Sequence, residues 1–142
     1  MKRINIFYFA FLVLFLNSCQ DNVASKKEMK KEEPNVFFKN INEGATLKSP
    51  FLVQMGVNGM NVEPAGYLNK GYGHHHIIIN CTHIEDRNFI PLDEKHIHYG
   101  QGETEANLDL QAGNYCLTLQ FADGYHQSYG KDYSNTINVV VE

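Results

Sequence analysis

Phe51-Leu52-Val53-Gln54-Met55-Gly56-Val57 places apolar side chains at positions 51, 53, 55 and 57. Successive side chains of an extended backbone point to opposite faces, so this period of two reads as a strand with one buried face. Tyr115, Leu117, Leu119 and Phe121 repeat the pattern, as do Ala106, Leu108 and Leu110, and Ile137, Val139 and Val141. Shorter candidates are Val36 to Phe38, His74 to Asn80, and the stretch from His96 to Tyr99. Turn formers separate them: Asn42-Glu43-Gly44, Ser49-Pro50, Asn58-Gly59, Glu63-Pro64-Ala65-Gly66, Gln111-Ala112-Gly113 and Asp123-Gly124. No stretch beyond residue 35 holds a helical period with caps.

About seven short strands in a domain spanning residues 35–142 predict an all-β fold, an immunoglobulin-like antiparallel β-sandwich, with a cupredoxin-like barrel or sandwich as the alternative. Two phrases resemble bacterial immunoglobulin-like modules. Val36-Phe37-Phe38, leading through Asn42-Glu43-Gly44-Ala45-Thr46 to Ser49-Pro50-Phe51, is similar to their opening. Leu110-Gln111-Ala112-Gly113-Asn114-Tyr115, continuing to Ala122-Asp123-Gly124, is similar to their penultimate strand.

Upstream of the strands the composition changes twice. Lys2 and Arg3 precede Ile4 to Leu16, which is apolar except for Asn5. That segment is shorter than the ~20 residues that span a bilayer and suits a signal-peptide core. It runs into Leu16-Asn17-Ser18-Cys19, which resembles a bacterial lipobox. The expectation is a lipoprotein signal over residues 1–18 and acylation of Cys19, which holds the protein on a membrane at ~0.8 kcal/mol per buried methylene. Gln20 after Cys19 favours the outer over the inner membrane of the envelope. Residues 19–34 then read as a Lys/Glu-rich tether, with Lys26, Lys27, Lys30 and Lys31 balancing Asp21, Glu28, Glu32 and Glu33. So little of it is apolar that it has nothing to bury.

Charge narrows the partners. The chain of 142 residues has 12 basic and 16 acidic side chains, and half of the basic ones precede residue 35, leaving an acidic domain. Phosphate backbones are repelled by such a surface, so nucleic acid is not an expected partner. With Cys19 lipidated, Cys81 and Cys116 remain as candidates for a disulfide in an oxidising compartment. Cys116 falls out of phase with the core-facing set and is expected to point outward.

The histidines carry the chemical signal. All seven lie between 74 and 126: His74-His75-His76, His83, His96-Ile97-His98 and His126. Residues two apart on a strand share a face, so His74 with His76, and His96 with His98, each present two imidazoles to one side. In a sandwich of the expected topology, the three groups meet at one pole. Imidazole-rich sites suit zinc or copper rather than calcium or magnesium. The expected metal ligands are His74, His76, His96 and His98, with His126 as an exchangeable fifth. His75, the remaining candidate, is expected to face the opposite side. Which side is inward is left open by Ile77-Ile78-Ile79, apolar on both faces. Glu103, Glu105, Tyr99 and Tyr129 are candidates for hydrogen bonds that orient the rings. The same cluster also suits a hydrogen-bonded network bracing loops without metal, or a pH response. His83, beside Glu85, Asp86 and Arg87, is expected to be exposed.

Gly73-His74-His75-His76, His96-Ile97-His98-Tyr99-Gly100, and Leu119-Gln120-Phe121-Ala122-Asp123-Gly124 with His126 and Ser128-Tyr129-Gly130 resemble the small bacterial exported domain catalogued as domain of unknown function 4399. The likeness extends from about Val36 to Glu142 and includes Ser49-Pro50-Phe51 and Glu63-Pro64-Ala65-Gly66. It implies a domain assignment and brings neither an activity nor catalytic residues. Cys81 and Cys116 are not part of that pattern. The chain has no Gly-x-Ser-x-Gly elbow, no phosphate-cradling loop and no His-Glu-x-x-His helix. An enzymatic role is therefore not specified.

Overall fold

The computed structural model describes residues 35–79 and 82–142. The expected signal segment, the lipidated Cys19, the tether and Cys81 lie outside the described residues. Nine strands follow one another: β1 (Val36–Phe38), β2 (Ala45–Leu47), β3 (Phe51–Val57), β4 (Asn61–Val62), β5 (Tyr72–Ile79), β6 (His96–His98), β7 (Glu105–Leu108), β8 (Gly113–Ala122) and β9 (Ser134–Val141). The only helical element among the described residues is a 3₁₀ turn, Lys131–Tyr133. The fold is all-β, as the alternating patterns require.

Two sheets form. β1-β3-β7 make the smaller, and β2-β9-β8-β5 make the larger, in which β4 and β6 divide the free edge of β5 between them. Both sheets contribute to one apolar core. Phe51, Val53 and Met55 of β3 meet Leu117, Leu119 and Phe121 of β8 and Ile137, Val139 and Val141 of β9 in a single cluster of buried side chains. Burying each such side chain is worth ~1.5–3 kcal/mol, so this sandwich-like contact dominates the stability.

All seven expected strands are present, but the expected uniformly antiparallel pairing is corrected by two short additional strands. β2 pairs in parallel with β9, and β4 in parallel with β5. For β2 the cause is local. Both oxygens of the Glu43 carboxylate accept bonds from Asn138, from its backbone N–H at 2.8 Å and its side-chain amide at 2.9 Å. The Gly44 N–H donates to the Asn138 carbonyl at 2.7 Å. The turn is thereby fastened to the edge of β9, and the next residues run alongside it.

Register settles which face of β5 is inward. Ile77 lies opposite Leu119 and His75 opposite Phe121, so Ile77 and His75 face the core. His74, His76 and Ile78 lie on the other face, opposite Ala122, Gln120 and Thr118. That outer face is not open to water, because the loops after β5 and β8 fold over it. Gln120, fully buried, fastens both. Its Oε1 accepts the Ile84 N–H at 3.0 Å, and its Nε2 donates to the carbonyls of Gly130 and Tyr133, each at 3.0 Å. Ser128 Oγ donates to the Ile84 carbonyl at 2.7 Å, and Ile90 is buried beneath.

Candidate metal centre

Four imidazoles converge where these loops meet the outer face of the larger sheet. His74 and His76 stand two apart on β5 and so share a side. β6 sets His98 directly opposite His76, with the two rings stacked at 5.0 Å between centroids. His126 comes from the turn after β8. Its ring lies 4.6 Å from that of His98 and 5.0 Å from that of His74. One ring nitrogen from each of the four lies within 4.8 Å of the others. The Nε2 atoms of His74 and His76 are 3.0 Å apart, and so are those of His98 and His126.

The turn that supplies His126 is built to aim it. The Asp123 side chain accepts the N–H groups of Tyr125 and Gln127, both at 2.9 Å, and the His126 N–H donates to the Asp123 carbonyl. His126 sits at φ 68°, a left-handed conformation that few side-chain-bearing residues adopt. Gly124 packs against the backbone of Tyr67 so closely that any Cβ would overlap it. On the other side, the His98 ring occupies the space that a Cβ on Gly100 would need.

Burial is graded across the group. His74 and His76 are fully buried, His126 is half-buried and His98 is exposed. Burial lowers the pKa of His76 to about 2, with the neighbouring imidazoles adding to the effect. Burial, then His98 and His126, lowers that of His74 to about 4, while Asp123 and Glu103 act in the opposite direction. Burial also lowers that of His98, again opposed by Glu103. The inner rings are therefore neutral near pH 7 and carry the lone pairs that coordination needs.

The arrangement fits an ion. Tetrahedral zinc–nitrogen bonds of ~2.0–2.1 Å put ligand nitrogens ~3.3 Å apart, and a tetragonal cupric site puts opposed nitrogens ~4 Å apart. The two 3.0 Å pairs are already close to this. Closing the widest separation, 4.8 Å, takes a relative movement of about 1.5 Å for the tetrahedral site and about 0.8 Å for the tetragonal one.

Of the six candidate histidines, His96 and His75 are elsewhere, His75 on the opposite face as expected. His96 shares a face with His98 but lies opposite Ile78, two residues further along β5 than His76. Its Nδ1 is held by Asp93 Oδ1 at 2.7 Å, so it is not in the group, whereas His126 is an integral member. His75 faces the core, edge-on to Phe121 at 4.9 Å. It has no hydrogen-bond partner among the described residues, and burial lowers its pKa to about 4. His83 lies 3.1 Å from Glu85 in its polar loop.

Of the expected orienting groups, Glu103 acts on the cluster through its charge. Glu105 instead accepts a bond from Gln54 on the smaller sheet. Tyr129 donates to the Tyr72 carbonyl at 2.7 Å, and Tyr99 is buried with its pKa raised to about 12, first by burial and then by Glu103. Asp123, Gln120 and Gly100 lie within the quoted motifs, but those motifs do not reveal their part in positioning the rings and loops. An Asp-Gly turn preceding His126 was the available signal for Asp123. Cys116 is disulfide-bonded, and its expected partner Cys81 lies outside the described residues.

No curated protein and no solved structure matches the chain. Residues 53–142, which include all seven histidines, match the family described as domain of unknown function (DUF4399), and the chain belongs to that family.

Proposed function

We propose that this protein binds a single transition-metal ion, zinc or copper, through His74, His76, His98 and His126. The observation that carries the reading is the convergence of four ring nitrogens within 4.8 Å from three separate stretches of chain. Neutral imidazoles, an acidic domain and nearby carboxylates favour a cation there. In the same proposal Cys19 is lipidated and residues 19–34 tether the domain, so the ion is held at a bacterial envelope surface, at the outer membrane.

A metal-free bracing network is the second reading, favoured by the two 3.0 Å nitrogen contacts, each of which fits a hydrogen bond from the N–H of one ring to the lone pair of the other. Coordination through the same Nε2 atoms leaves the Nδ1 atoms of His74 and His76 equally without partners among the described residues, so the cost of ~1–3 kcal/mol for each such buried polar group does not separate the two readings. Coordination uses the four lone pairs at once. Equilibrium dialysis against micromolar zinc or cupric ion, followed by elemental analysis, tests the proposal. About one equivalent is expected for a four-ligand site; retention no greater than that of a variant lacking His74 and His76 refutes it.

A further inference from the structure

We infer that the centre exchanges its ion through its outer half. His98 and His126 form a landing pair that takes the ion from an incoming complex with exchangeable ligands and passes it to the inner pair, His74 and His76. This rests on the metal-binding reading above and gives it a direction: transfer rather than permanent storage.

Three observations point the same way. First, the four ligands are not equivalent, since the inner pair is fully buried while His98 is exposed and His126 half-buried. An arriving complex can touch only the outer rings. Second, each half has its own bite, a 3.0 Å separation between the two Nε2 atoms, so each pair can hold an ion by two bonds while the other pair is released or filled. The halves adjoin, with 5.0 Å between the ring centroids of His74 and His98, so the ion has only a short step to make. Third, His74, His76 and His98 belong to paired strands, whereas His126 alone stands on a turn. With its backbone fixed, the half-buried His126 side chain can swing away by rotation about its own bonds without disturbing the sheet.

The chemistry is ligand substitution and balances at every step. A lone pair on His98 or His126 forms one metal–nitrogen bond, and one ligand of the incoming complex leaves with its own electron pair. The ion keeps its oxidation state. Asp123, whose side chain organises the turn, and Glu103 place negative charge beside the outer pair, which favours the approach of a cation.

Chemical rescue and uptake kinetics test this in the full chain. With His126→Gly, the vacated position faces solvent, so added imidazole is expected to restore zinc or cupric binding at least about tenfold. His98→Gly is expected to behave alike. His76→Gly leaves a buried gap that free imidazole does not reach, and no rescue is expected. In stopped-flow mixing with the bis-histidine complexes of zinc and copper, both outer variants are expected to take up metal about tenfold more slowly than the wild type. Near-ultraviolet circular dichroism in chelator identifies any variant that has not folded, and His76→Gln replaces His76→Gly if that variant fails. A wild type that retains no metal sinks the binding proposal itself. A wild type that binds, with outer variants neither rescued nor slowed, sinks the exchange inference alone.

Discussion

The ring of His98 lies where a side chain on Gly100 would have to be. Gly100 does not have a positive φ, so alanine fits its backbone, and the conflict is with the imidazole alone. Because His98 is exposed, the ring can escape by swinging into water and away from His76. Gly100→Ala is therefore expected to lower metal affinity about tenfold with a stability change under about 1 kcal/mol. Competition with a chromophoric chelator, alongside a thermal melt in chelator, checks both parts. Unchanged affinity would show that His98 is not a ligand.

His96→Asn separates the two members of the His96-Ile97-His98 pair. The half-buried His96 ring is bound at 2.7 Å to Asp93, whose side chain is exposed, and ion pairs open to water on one side are worth ~0–1 kcal/mol. Its loss is expected to leave metal stoichiometry at the wild-type value and to cost no more than about 1 kcal/mol. His98→Asn, by contrast, is expected to weaken binding. Equal effects of the two on dialysis would contradict the assignment of ligands.

That contrast shows how far the sequence could be read. The alternation in Phe51 to Val57 and Tyr115 to Phe121 declares strands because each has one clear apolar face, and both sheets grow from it. The same rule pairs His96 with His98 and His74 with His76, and each pair does share a face. What periodicity does not contain is register. Whether His98 or His96 stands opposite His76 depends on which residues of β5 and β6 bond, a relationship between distant segments. The triplet Ile77-Ile78-Ile79 hid the inward face for a physical reason as well. Both faces of β5 are buried, one by the core and one by loops, so both are apolar. Alternation with Leu119 and Phe121 puts Gln120 on the non-core side, and nothing local announces that loops will cover that side.

Acid should destabilise the metal-free protein in a defined window. His74 and His75 titrate at about 4 in the fold and His76 at about 2, in each case chiefly through burial. In the unfolded chain all three titrate near 6.5. Between about pH 6.5 and 4 the unfolded state binds protons that the fold refuses, so stability is complete above that range and falls as pH drops through it. Each ring contributes a slope of up to ~1.4 kcal/mol per pH unit there. Denaturant melts in chelator at pH 7.5, 6, 5 and 4 measure the slope. His75→Leu removes one of the three rings, with no hydrogen bond to lose among the described residues, and is expected to flatten the dependence by one proton. A pH-independent midpoint over this range would contradict the burial of neutral rings.

Gln120 is where stability and the candidate site meet. Its amide holds Ile84, Gly130 and Tyr133, and the segments it fastens carry the turn that presents His126. In Gln120→Leu the shape is nearly kept while the Ile84 N–H and the Tyr133 carbonyl lose this partner and the Gly130 carbonyl keeps the Tyr133 N–H. At ~1–3 kcal/mol for each polar group left unsatisfied and buried, partly relieved by water, the expected loss is about 2–4 kcal/mol. Because the loops loosen, hydrogen exchange should accelerate at the amides of Ile84, Ser128 and Gly130 while those of Leu117 and Leu119 remain protected. Metal affinity should fall with it, since the loop whose Ile90 N–H bonds the His126 carbonyl at 2.9 Å is then less firmly anchored. Fast exchange confined to these loops, with weakened binding, ties the cover to the centre. Weakened folding with binding intact in the surviving native fraction would mean that His126 is positioned without help from Gln120.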